Sequence, residues 1–159
     1  MTTDATFEDG REAPVNIGAV DAEDLSVVSM LVQDAVLPVT EISWWPSERR
    51  FALLVNRFRW EDEAAAKQRG RQVERVQSLL VVDNVTGVAS QGVRKDDPDV
   101  ILSILSVAFE TEEEPSGNVI LTMAGDGAIR LAVEALDVTL KDVTRPYAAP
   151  SSRTPVHPD

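Results

Sequence analysis

The chain has no cysteine, a single histidine and no apolar run approaching the ~20 residues that a membrane-spanning helix requires. Without cysteine there is no disulfide, no thiolate nucleophile and no cysteine-ligated zinc. The one histidine, His157, stands in a proline-rich stretch and is read as a solvated tail residue. A Ser-His-Asp triad or a histidine-based zinc site therefore has nothing to draw on. Neither of the glycine-rich phosphate motifs, Gly-x-x-x-x-Gly-Lys-Ser/Thr or Gly-x-Gly-x-x-Gly, occurs. The opening residues carry Asp4, Glu8, Asp9 and Glu12 and lack the basic and apolar regions of a secretory signal. The cytoplasm is the expected compartment, and no cofactor or metal is expected.

What is present fits one globular domain. The length is 159 residues, with 43% hydrophobic and 26% charged. A domain of about 150 residues buries about 68–70% of its unfolded surface, enough for a self-sufficient core. Residues 1–13 are expected to be a flexible tail, 14–143 the globular domain, and 144–159 a second tail. Pro146, Pro150, Pro155 and Pro158 keep that second tail out of sheet or helix.

Local patterns supply the parts. Asp21 is a helix N-cap, with Asp24 three residues on, and Leu25, Val28, Leu31, Val32 and Ala35 follow as one apolar stripe. Pro38 is the expected stop. Val39 to Trp45, a turn over Pro46–Arg49, and Arg50 to Phe58 form a hairpin. On its second strand Phe51, Leu53 and Val55 share one face, and Ala52, Leu54 and Phe58 share the other. Residues 61–70 are left as helix or loop. Gln72 to Val82 and Val88 to Val93 are strands around an Asp83–Gly87 turn. Val100 to Glu110 is a buried strand or a buried helix, its β-branched residues favouring strand. Gly125-Asp126-Gly127 joins Val119–Met123 to Ala128–Val133 as a tight hairpin, the Asp126-Gly127 pair supplying the positive φ values it needs.

After that hairpin Ile129, Leu131 and Val133 alternate in odd register, whereas Leu136, Val138 and Leu140 alternate in even register. Such a flip of parity requires a bulge, or two strands meeting at a corner. The expected fold class is α+β: mostly antiparallel β, about seven strands in a barrel- or sandwich-like arrangement, with one N-terminal helix.

The formal charge of −12 opposes general nucleic-acid binding and anionic membranes. The charge is uneven, because residues 49–75 hold eight bases against four acids. All three tryptophans lie on or beside the hairpin that opens this basic island. Trp44, Trp45, Arg49, Arg50, Arg57, Arg59 and Trp60 form the candidate binding face, since tryptophan and arginine are enriched at protein-binding hot spots. The island also contains Lys67, Arg69, Arg71 and Arg75. The plainer account is that the tryptophans pack at the core and the arginines pair with the surplus acids. Asp96-Asp97-Pro98-Asp99 and Glu112-Glu113-Glu114 lack EF-hand spacing and are read as solvated loops.

Several separated segments, in order, resemble one family. These are Asp24-Leu25 through Gln33-Asp34-Ala35-Val36; Glu48-Arg49-Arg50-Phe51-Ala52-Leu53 running on to Asn56-Arg57-Phe58-Arg59-Trp60-Glu61; Glu74-Arg75-Val76; Ser90-Gln91-Gly92; Ala124 to Ile129; and His157-Pro158-Asp159. Together they resemble the bacterial domain-of-unknown-function family DUF2948, small acidic cytoplasmic proteins. That resemblance implies no catalytic or binding residues. The functional expectation is a non-enzymatic cytoplasmic binding or adaptor protein with a protein partner on the Trp/Arg hairpin face. Two alternatives stand beside it: an RNA or small-anion module on residues 49–75, and an enzyme with carboxylate-based chemistry.

Overall fold

The structure, a computed structural model, describes residues 13–148. His157 and most of both expected tails lie outside the described residues. Among the described residues there are eleven strands and two α-helices rather than about seven strands and one helix. The strands are β1 (Asn16–Ala19), β2 (Val36–Pro38), β3 (Ile42–Trp45), β4 (Arg50–Phe58), β5 (Glu74–Val82), β6 (Val85–Gln91), β7 (Ile101–Thr111), β8 (Gly117–Met123), β9 (Ala128–Val133), β10 (Val138–Asp142) and β11 (Tyr147–Ala148). The helices are α1 (Ala22–Leu31) and α2 (Glu63–Gln68).

Every strand pairing is antiparallel. The sheet follows the order β1-β10-β5-β4-β2-β7-β8-β9-β6, with β3 on β4 and β11 on β5. Its end strands β1 and β6 do not pair with each other, so the sheet is open rather than a closed barrel. Val36–Pro38 joins the two halves, pairing with β4 through Val36 and with β7 along its length. One apolar cluster draws on Leu53, Val55, Leu80 and Leu140 from one half and on Ile104, Leu121, Ile129 and Leu131 from the other. The inner faces of both halves therefore share a single core. Each leucine buried there contributes about 2 kcal/mol of transfer free energy.

The parity flip is a corner between two strands. β9 pairs with β8 and β6, and after a short crossing β10 pairs with β5 and β1. Ile129, Leu131 and Val133 are buried before the corner; Leu136, Val138 and Leu140 are buried after it.

α1 begins where expected: the Asp21 carboxylate accepts from the Asp24 N–H at 2.8 Å. It ends earlier than expected, and not at Pro38. Val32 caps it, and the chain turns at Asp34 (φ 63°). The Asp34 N–H then donates to the Ile104 carbonyl and the Ile104 N–H to the Ala35 carbonyl, at 2.8 and 2.9 Å. This exchange converts the run before Pro38 into β2. Residues 101–111 are strand, and residues 63–68 are a helix.

Two further expectations are corrected. The hairpin between β8 and β9 takes its positive φ at Gly125 and Asp126, not at Gly127. Tyr147 and Ala148 pair with Arg75 and Glu74 despite the preceding proline. The ring of Pro146 removes only its own N–H, which leaves the next two residues free to join an edge.

Candidate functional site

β4 carries candidate residues at both of its ends, and its alternation assigns them to different environments. Phe51, Leu53 and Val55 face the core, and the same parity puts Arg57 inward as well. On β5 the inward set is Val76, Ser78, Leu80 and Val82, and on β10 it is Val138, Leu140 and Asp142. Val55 is in register with Ser78, and Ser78 with Asp142. Arg57, Ser78 and Asp142 thus meet on the inner face, where the apolar runs of β4 and β10 end.

Arg57 is fully buried. Its Nη2 lies 3.0 Å from both oxygens of Asp142. Nε donates to Ser78 Oγ at 3.0 Å, and Nη1 to the Phe58 carbonyl at 3.0 Å. Glu61 takes Nη1 and Nη2 in a second fork, at 2.8 and 2.9 Å. Burial works to lower the Arg57 pKa, but bonds to and charges on Glu61 and Asp142 outweigh it and hold the pKa above the usual value. Asp142 also accepts from Ser78 Oγ at 2.6 Å and from the Val15 N–H at 2.8 Å. With its acceptors and donors matched, this charge is part of the fold and is out of reach of a partner.

Arg59 is also buried, at 3% exposure. Its Nη1 meets Glu74 at 2.9 Å and Asp62 at 3.4 Å. Arg71 reaches the same two acids, Asp62 at 2.6 Å and Glu74 at 3.6 Å. Beside this group Trp60 packs against Phe58 with ring centres 5.3 Å apart and donates its indole N–H to the Gln33 carbonyl at 2.9 Å. Arg75 stacks over Phe58 at 4.0 Å, and burial lowers its pKa, partly opposed by Tyr147. Arg57, Arg59 and Trp60 are therefore engaged within the fold at this end of β4, apart from Trp44, Trp45, Arg49 and Arg50.

The other end of β4 is different. Trp44 is half-buried and packs against the core, whereas Trp45 is 44% exposed. Arg49 adopts the left-handed conformation (φ 55°) after the turn at Pro46–Glu48 and bonds Glu134 at 2.6 Å across the surface. Arg50 Nε bonds Asp83 at 2.9 Å, which raises its pKa. Trp45, Glu48 and Arg50 border a groove of about 420 Å³ whose floor is Ala52, Leu79, Val81 and Thr139. These floor residues lie on the outward face of β4, β5 and β10.

Sequence reasoning passed over Asp62, Glu74, Ser78 and Asp142. A signal was present for two of them: extending the inward parity by one step places Ser78 and Asp142 beside Arg57. Among the described residues no group of three or more His, Cys, Asp or Glu is placed to hold a metal ion. No helix there is long and apolar enough to cross a membrane.

The family described as "Protein of unknown function (DUF2948)" matches residues 15–157. That span takes in both ends of β4 and the whole sheet. This chain is a DUF2948 protein. No curated protein and no solved structure matches it. Within the DUF2948 match the arginines on and beside β4 fall into two sets, Arg57 and Arg59 buried at the Phe58 end and Arg49 and Arg50 exposed at the other.

Proposed function

We propose that this chain is a non-enzymatic binding protein of the cytoplasm that seats a partner protein in the groove beside Trp45. The observation that carries the reading is the exposed Trp45 at the margin of an apolar floor, with Arg50 on the rim. An aromatic anchor next to a desolvated pocket and an arginine is the usual composition of a protein-binding hot spot. Asp62 with Glu74, and Asp142 with Glu61, each share arginines, which supports binding over carboxylate-based catalysis.

The test is affinity purification of the tagged full chain from its own cells, beside Trp45→Ala, Arg50→Glu and Arg130→Ala variants shown to be folded by circular dichroism. A near-stoichiometric protein partner lost from the first two and kept by the third supports the reading. A partner that both groove variants retain overturns it. Cell fractionation checks the compartment.

A further inference from the structure

The turn after α2 builds a second hollow, at the far end of β4 from Trp45 and independent of the groove. It encloses about 440 Å³, and its charged lining is Arg59, Asp62, Arg69, Arg71 and Glu74. The turn that presents Arg69 and Arg71 is fixed by its backbone. Arg69 N–H donates to the Ala65 carbonyl, Arg71 N–H to the Ala66 carbonyl, and Gly70 takes φ +68° between them.

Arg59, Asp62, Arg71 and Glu74 alternate in sign around a closed ring, each arginine touching both acids. The ring neutralises itself, which leaves Arg69 as the surplus charge. Arg69 is exposed, and its side chain makes no ion pair or hydrogen bond among the described residues. The ring also leaves a donor over: Arg71 Nη1 is buried without a hydrogen-bond acceptor, its nearest carboxylate standing at 3.6 Å. Glu61 does not fill the deficit, because both of its oxygens are held by Arg57 at 2.8 and 2.9 Å. A buried guanidinium N–H without an acceptor calls for one, and a forked donor set matches an oxyanion.

We infer that this hollow is a binding site for a small oxyanion, a phosphoryl or carboxylate group. The group is held by the Arg71 guanidinium at the inner side and is neutralised by Arg69 at the rim. The rest of the molecule is strongly acidic, so a small anion is favoured over a polyanion. A long nucleic-acid backbone must also pass the acidic surface around the hollow.

The experiment uses the full ¹⁵N-labelled chain at about 0.1 M sodium chloride, where charges farther apart than ~10 Å are screened. Inorganic phosphate and, separately, succinate are titrated while the amide and arginine side-chain N–H signals are followed. The expected result is saturable shifts confined to residues 59–74. Arg69→Ala should weaken binding about tenfold, the loss expected for one charge-assisted hydrogen bond. Arg130→Ala, on the opposite half, should leave it unchanged. Saturation by phosphate alone assigns a phosphoryl ligand, by succinate alone a carboxylate, and by both an oxyanion site without preference. If neither anion gives saturable shifts, or if Arg69→Ala leaves the affinity as it was, the inference is overturned.

Discussion

The two ends of β4 carry the same residue types and do opposite things with them. At the Arg50 end, arginines pair singly with acids across open surface and a tryptophan stands out into solvent. At the Phe58 end, Arg57 and Arg59 are buried in networks and the tryptophan bonds a carbonyl. The difference comes from position, not composition. Arg57 continues the inward parity of Phe51, Leu53 and Val55 past the last apolar layer, where β5 and β10 supply Ser78 and Asp142. Arg49 and Arg50 sit where the strand leaves a turn, and their partners Glu134 and Asp83 come from the crossings between the two halves. A basic island in sequence is thus two separate sites, about 30 Å apart at the ~3.3 Å rise of a strand.

The comparison breaks most visibly at Asp142. Asp142→Ala removes the buried one of the two carboxylates that hold Arg57, and should cost about 3–5 kcal/mol, read as a fall in the urea midpoint. A double replacement, Arg57→Met with Asp142→Leu, should recover most of that loss, because the desolvation of both charges is removed together. Asp62→Ala should cost less, about 2 kcal/mol, since Glu74 still holds both Arg59 and Arg71. Trp60→Phe keeps the packing on Phe58 but loses the bond to the Gln33 carbonyl, a change of about 1 kcal/mol in the same measurement. Smallest of all, Arg50→Ala should leave the urea midpoint unmoved, because a screened surface pair adds little. The partner affinity should fall in that variant, and this split between stability and binding is the sharpest form of the contrast. A clear loss of stability in Arg50→Ala would erase it.

Much of the sheet was legible because its strands are half-buried and alternate. The bounds of β4 and the corner after β9 follow from parity alone. β2 was not legible: three residues ending in proline have no period, and pairing with Asn56 and with Ile101–Ser103 makes them a strand. The helix at residues 63–68 is anchored through Ala66 and Val73 on Phe58, a contact between residues whose spacing follows no local pattern. The candidate site was half legible. Residue type found the arginines, but their acidic partners arrive from up to 85 positions away, as Asp142 does for Arg57. No local window contains that pair. An Arg59→Glu reversal would place a third acid between Asp62 and Glu74 and test folding rather than binding.

The placement of β10 also sets a schedule for synthesis. β5 emerges early and finds β4 beside it, but its other edge waits for Val138–Asp142, most of the remaining chain later. Until the ribosome releases that stretch, the edge of β5 is bare and Arg57 lacks Asp142. The larger half of the sheet cannot close before β10 is made, so a nascent chain halted in β7 or β8 should be open to protease where the finished protein resists it.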